Sequence, residues 1–303
     1  MDQLTRALYE SRFEIAFLEK RGEAFQDLFS SIMEKKYPGD FIRTRPWGNQ
    51  GDRKNDGYVR STRTLFQVYA PNEMEESKTL TKIDEDFAGA LAHWSDHFDA
   101  WVFVHNSRKG LGPGVTKKLL DLGRDNPNIR VRSWGFEELR HVVIKLDLPE
   151  LTSLFGPIPS RTDLINLKYP EVEMVLRTLE TRTASQSDEI RPVPPRKLEI
   201  NALSDAAGVL LKAGMVSSNK VRDYFSQHHD PKLGDRVAQA FRGEYEALRN
   251  AYHTPDEIFA RLQLIGNGTI LPTPSRQAAT LTVLAYLFEE CDIFERPQEE
   301  AAS

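Results

Sequence analysis

The chain has a single cysteine, Cys291, in 303 residues. One thiol cannot close an internal disulfide or build a cysteine-rich zinc site, so any metal has to be held by oxygens or histidines. No run of eighteen apolar residues occurs, which argues against a transmembrane span. Met1-Asp2-Gln3 does not open a basic-then-apolar leader, and the expectation is a soluble, cytoplasmic protein with no membrane partner. Cationic excess is missing as well: 40 Lys+Arg stand against 45 Asp+Glu. That balance excludes a polybasic nucleic-acid coat but leaves room for a local basic surface. No period of twenty to fifty residues recurs, which argues against a solenoid. A content of 40% hydrophobic and 10% aromatic residues suffices for one large or two ordinary domains and excludes disorder for most of the chain.

The acidic excess lies wholly beyond residue 197. Small polar residues at 181–187 and the run Arg191-Pro-Val-Pro-Pro195 disfavour both helix and ladder pairing. The expected organisation is therefore an N-terminal domain at 1–180, a linker at 181–197, a helical domain at 198–296 and a tail at 297–303. Spacing of Leu4, Leu8, Phe17, Phe25, Phe29 and Ile32 predicts helix over 2–36, stopped by Tyr37-Pro38-Gly39. Short β-rich runs follow at 41–44, 57–60 and 64–70, then a helix over 76–95 and an apolar strand at 100–104. Helix, strand and helix are expected at 115–123, 129–132 and 136–146. That order predicts an α/β domain with a mixed sheet flanked by helices. Beyond Pro195 the pattern is all-α, with helices near 202–213, 217–228, 232–252, 255–265 and 275–290. Thr254-Pro255-Asp256-Glu257 supplies an N-cap, a proline at N1 and first-turn acids.

The most informative stretch is Gly48-Asn-Gln-Gly-Asp-Arg-Lys-Asn-Asp-Gly57. Asp56 opens one strand, and Gln67 and Tyr69 share a face of the next because side chains alternate with period two. An acid beside a polar pair with a nearby lysine suits a divalent-metal phosphodiesterase: oxygens hold Mg²⁺, the metal activates water, and lysine offsets phosphate charge. Asn-Asp-Gly is equally an ordinary turn tripeptide. Residues 38–70 also carry Arg45, Arg53, Lys54 and Arg60, cations able to bind phosphates without regard to sequence, with Trp47 and Tyr58 able to stack on a base. A charged, solvated strand edge would look the same. Lys109-Gly-Leu-Gly-Pro-Gly114 lacks the endings of nucleotide-binding loops. It reads as a loop touching DNA phosphates or as a tight crossover. His105 ends the buried strand as a base, a ligand or a structural histidine. His228-His229-Asp230 reads as a helix cap.

These residues resemble the PD-(D/E)xK restriction-endonuclease-like nucleases. The resemblance makes Asp56 the first motif aspartate, Gln67 the second acid position and Glu23 the first-helix glutamate, with Gln26 on the same polar face as the second candidate there. Gly51-Asp-Arg-Lys-Asn-Asp-Gly57, Phe66-Gln-Val-Tyr-Ala-Pro71, Lys82-Ile83 with Asp86-Phe87, Phe103-Val-His-Asn106 and Cys291-Asp-Ile-Phe-Glu295 resemble bacterial ABC-three-component system proteins over about residues 20–296. In that family an N-terminal effector is joined to a helical C-terminal domain and works with an ABC-type ATPase in defence against phage and mobile elements. The resemblance implies a DNA endonuclease with Mg²⁺, or Mn²⁺, held by Asp56, Gln67 and Glu23. It also implies an ATPase partner, while cutting both strands would suit a homodimer. This sequence departs from the nuclease pattern at Gln67, which replaces an acid, and at Tyr69, which stands where lysine is expected; Lys82 is the replacement lysine, or an i,i+4 partner of Asp86. The rival expectation is a non-catalytic DNA-binding or adaptor subunit that kept the fold.

Overall fold

A computed structural model describes residues 1–44, 55–180, 203–251 and 253–290. The chain divides into two compact units: Ala16–Leu154, and Met1–Ile15 together with Phe155–Ser303. Residues 1–15 and 155–180, expected with the sheet, therefore pack with the C-terminal helices. No helix among the described residues is long and apolar enough to cross a membrane.

The expected first helix is two helices, α1 (Gln3–Glu19) and α2 (Gly22–Lys36). The break falls where Gly22 takes φ +50, a left-handed conformation open to a residue without Cβ. The sheet unit continues through β1 (Phe41–Arg43), β2 (Gly57–Val59), β3 (Thr64–Tyr69), α3 (Glu76–Trp94), β4 (Ala100–His105), α4 (Pro113–Asp125), β5 (Arg130–Trp134), α5 (Phe136–Val143) and most of α6 (Leu148–Phe155). Strand order is β1-β2-β3-β4-β5, antiparallel across the first two pairings and parallel across the last two. This is the mixed sheet flanked by helices that the element order implied.

All six residues of β4 are buried, as its apolar run required. Leu65, Trp101 and Phe103 pack with Ile83 and Phe87 of α3 and with Val115 and Leu119 of α4. Through Phe66 the opposite face meets Phe29 of α2 at 5.4 Å and Trp134 at 5.2 Å between ring centroids. Phe17 closes that side edge-on against Phe25 and Phe136, at 5.3 and 5.2 Å.

The helical unit contains α7 (Arg161–Ile165), α8 (Tyr169–Glu180), α9 (Asp205–Met215), α10 (Ser218–Gln227), α11 (Leu233–Asn250), α12 (Pro255–Asn267) and α13 (Pro274–Glu289). The start signal at Thr254 is realised as a capping box: the Thr254 hydroxyl accepts from Glu257 N, and Glu257 Oε2 accepts from Thr254 N at 2.8 Å. Helix α13 is buried along most of its length, and at Gly214 the backbone of α9 comes so close to the Leu281 carbonyl that a Cβ would collide with it. Leu4, Ala7 and Leu8 of α1 belong to the same core as Leu176, Leu210, Phe241 and Leu284.

Arg12 is 1% exposed inside this unit. Its Nε and Nη2 donate to Gln277 Oε1 at 3.0 and 2.7 Å, Nη2 also to the Pro272 carbonyl at 3.1 Å, and Nη1 to the Phe155 carbonyl. Burial lowers its pKa to about 10, so the guanidinium stays charged at neutral pH, held by uncharged oxygens. In the sheet unit His105 is 4% exposed, with Nδ1 accepting from Ser107 N at 3.3 Å. Burial pushes its pKa down to about 4, against a weaker upward pull from Glu138.

Replacing Arg12 by Met leaves Gln277 Oε1 and two carbonyls without their donor, and is expected to destabilise the chain by on the order of 3 kcal/mol. Urea unfolding checks this, and Arg12→Met with Gln277→Leu should lose less than the sum of the single changes. For His105 the folded pKa lies below the ordinary 6.5, so as pH falls through that value the unfolded chain takes up a proton that the folded chain refuses. Stability then declines until about pH 4, a loss of on the order of 3 kcal/mol from this group. The slope of unfolding free energy between pH 6.5 and 4 should be shallower in His105→Gln.

Candidate metal centre

Two short strands and one helix position Asp56. β2 and β3 pair in the register Gly57↔Phe66, and just before β2 the Asp56 N–H donates to the Phe66 carbonyl at 3.0 Å. Asp56 Oδ2 then accepts from Val68 N at 2.7 Å, so the side chain takes over the ladder where the backbone leaves it. Asp56 Oδ1 accepts from Gln26 Nε2 of α2 at 2.5 Å. The carboxylate is 3% exposed.

Gln67 lies between the two β3 residues that Asp56 engages, and it is buried with Oε1 lacking any hydrogen-bond donor. Asn55 Oδ1, from the residue before Asp56, is buried in the same condition. Leaving such an acceptor dry costs about 1–3 kcal/mol unless something answers it. Both are oxygens of the hard kind that Mg²⁺ or Mn²⁺ takes, beside a carboxylate. By kind of atom these oxygens suit a hard divalent cation; Asn55 adjoins Asp56 in the chain, while β3 alternation turns Gln67, with Leu65 and Tyr69, to the α3 face of the sheet. Among the described residues no group of three or more His, Cys, Asp or Glu side chains gathers; of Asp56, Gln67 and Asn55, only Asp56 is a carboxylate.

Glu23 stands exposed in the first turn of α2, and the residue that reaches Asp56 from this helix is Gln26, three positions on. Ser30, one further turn along, is fully buried with Oγ unpartnered. Of the polar residues on this side of α2, Ser30 is buried and Gln26 half-buried, while Glu34 beyond them is exposed. The spacing of three and four residues was the available signal, and on it the sequence reading ranked Glu23 ahead of Gln26.

Tyr69 shares the face of β3 that carries Gln67, its ring 6.0 Å from Phe103. Lys82 Nζ sits 2.9 Å from Asp86 Oδ1, Asp86 being fully buried and Lys82 about a third exposed. With Tyr69, Ser77, Lys78, Thr81 and Glu85, Lys82 lines an open cavity of about 330 Å³. Of the expected phosphate contacts, Arg45, Arg53 and Lys54 lie outside the described residues, as do Trp47 and Cys291. Arg60 is exposed in the β2–β3 turn, four residues of extended chain or about 13 Å from Asp56. Tyr58 is not a stacking platform: its hydroxyl donates to the His97 carbonyl at 2.5 Å and its ring packs into the core below α3.

The glycine loop offers no phosphate cradle. Gly112 caps α4 and Pro113 follows at N1, but the Glu76 carboxylate already lies against Gly112 and Gly114, where an anion would meet the helix start. In the helical unit Asp230 Oδ1 accepts from Lys232 N at 2.9 Å and Oδ2 faces Arg236 at 2.6 Å, which holds its pKa below the usual carboxylate range. His228 caps the end of α10, so the His-His-Asp triplet does act at helix ends.

No curated protein and no solved structure matches this chain. A family model does match, over α8 to the end of α13 and the residues just beyond. Residues 171–295 match C-terminal domain 10 of the ABC-three component (ABC-3C) systems, whose components work in a complex with partners, and the match supports a place for this chain in such a system.

Proposed function

We propose that the sheet unit is the metal-dependent DNA endonuclease effector of a bacterial defence system, controlled by an ABC-type ATPase partner and acting in the cytoplasm. The observation that carries this reading is the buried Asp56 carboxylate with two buried, unanswered acceptors near it in sequence and register, Asn55 Oδ1 just before it and Gln67 Oε1 on the strand that β2 pairs with. Asp56, Gln67 and Asn55 would hold one Mg²⁺ or Mn²⁺. When bound, the cation supplies a water of lowered pKa and offsets charge on the phosphodiester. Val68 N–H keeps one Asp56 oxygen fixed to the sheet, so the carboxylate meets its ligand already oriented. Lys82 offers an ammonium at the open cavity, aligned by Asp86, for a phosphate oxygen. Cutting both strands calls for two such sites, hence a homodimer or two subunits in one assembly.

A second reading, an adaptor that binds DNA or its partner without cutting, is favoured by the neutral donors of Gln26 and Val68 already on Asp56 and by Tyr69 in the lysine position. Supercoiled and linear DNA with Mg²⁺ or Mn²⁺ separates them, using the protein with and without its co-purifying partners. The effector reading expects cleavage that Asp56→Ala lowers by more than the roughly 100-fold that loss of a supporting partner costs a metal site. Full cleavage in a folded Asp56→Ala variant sinks the site assignment. DNA bound but uncut by every assembly turns the reading to the adaptor.

A further inference from the structure

We infer that the helical unit carries a binding site for a phosphate monoester, in a cavity between α8, α10 and α11. It stands apart from the effector reading of the Asp56 site. The cavity measures about 260 Å³, and Arg177, His228, His229 and Arg236 line it together. The Tyr224 ring and the buried Leu176 and Leu233 form its apolar wall. The two imidazoles have centroids 4.2 Å apart, and the Tyr224 ring is 5.5 Å from that of His228. Asp230 N donates to His228 Nδ1 at 3.2 Å, which leaves the ring proton on Nε2 and makes that nitrogen a donor. Asp230 is the one carboxylate among the lining residues, and both its oxygens are taken, Oδ1 by Lys232 N at 2.9 Å and Oδ2 by Arg236 at 2.6 Å. Arg177 pairs with Glu173 at 2.6 Å as an exposed i,i+4 contact, weak in water and readily exchanged for a stronger acceptor. The lining is therefore rich in donors while its acid is already answered, which suits a ligand that brings acceptors and negative charge. A phosphate monoester, with three terminal oxygens and close to two charges, answers four donor side chains better than the two oxygens of a carboxylate. The cavity extends past what a bare phosphate fills, and its ring and leucines suit a planar organic group on the ester. A free small ester and the 5′ end of a nucleic-acid strand present the same chemistry.

Isothermal titration calorimetry of the purified full chain tests this with inorganic phosphate, adenosine monophosphate, adenosine, and one single-stranded oligonucleotide bearing a 5′ phosphate or a 5′ hydroxyl. Adenosine monophosphate should bind at least about 10-fold more tightly than inorganic phosphate, through the contact its base adds on Tyr224, and more tightly than adenosine. Arg177 and His229 are exposed at the cavity, so Arg177→Gln and His229→Gln should fold, as circular dichroism checks. Each should weaken adenosine monophosphate by about 10-fold or more. Arg222→Gln removes a cation that pairs with Glu290 and does not line the cavity, and should leave the affinity unchanged. A preference for the 5′-phosphorylated strand that Arg177→Gln removes assigns the site to strand ends. Adenosine monophosphate binding without that preference assigns it to a free ester. Absence of binding by every phosphate probe overturns the inference. So does adenosine binding as tightly as its monophosphate, or an equal loss in Arg177→Gln, His229→Gln and Arg222→Gln, which would mark diffuse charge attraction rather than a site.

Discussion

A carboxylate taken almost wholly out of water has to be answered by donors or by a cation, and Asp56 is placed where both are within reach. Its backbone and one oxygen extend the β2–β3 ladder past the point where three-residue β2 begins, and its other oxygen reaches across to α2. Without that side chain the Val68 N–H and the Gln26 amide would both lose an acceptor, and the sheet edge would end on a dry donor. The same arrangement would give the proposed site its chemistry. Asp56 is rigid because the fold uses it, while the oxygens of Gln67 and Asn55 are unanswered because the fold does not. A group that is both structural and reactive should therefore be tested by ligand binding as well as by turnover, since its removal touches stability and function together.

The helical unit has its own buried charge. Arg12 is held by four uncharged acceptor contacts and no carboxylate, an arrangement that spreads the cation over a glutamine and two carbonyls. It comes from α1, while the family match begins only at residue 171. Leu4, Ala7 and Leu8, with Leu164 and Leu167, complete the core into which the matched helices pack. The matched segment is thus a contiguous part of a larger unit whose first helix is the first helix of the chain. A fragment cut at residue 171 would expose the face that those residues cover.

Periodicity and turn chemistry made most of the elements legible. The three-strand meander, the apolar β4 and the helix start at Thr254 fall where alternation, burial and capping place them. The division into units was not legible, because residues 148–180 carry short helices whose apolar faces do not say which core they will join. Nor was the break before Gly22, since a helical pattern of apolar residues continues straight through a single positive φ. At the site, Asp56 and Gln67 could be singled out from strand alternation, but the choice between Glu23 and Gln26 depended on the rotation of α2. An acid attracts attention in a sequence, whereas here the half-buried amide reaches Asp56 and the acid stays exposed. Of the two readings the glycine loop left open, the tight crossover fits the structure: the anion its helix start suits is supplied internally by Glu76.

The same preference for amides over acids has a consequence for how such a site would work. One carboxylate with neutral oxygens leaves a bound divalent cation with a net positive charge, which weakens its hold on the cation and strengthens its hold on any anion beside it. A phosphodiester oxygen would then supply the charge that a second acid supplies elsewhere. By linkage, whatever factor the phosphodiester adds to cation affinity, the cation adds to phosphodiester affinity. Cation and backbone would load together, and neither alone would fill the site. Under the effector reading proposed above, delivery of the nucleic acid, rather than arrival of the metal, would be the event that completes the centre.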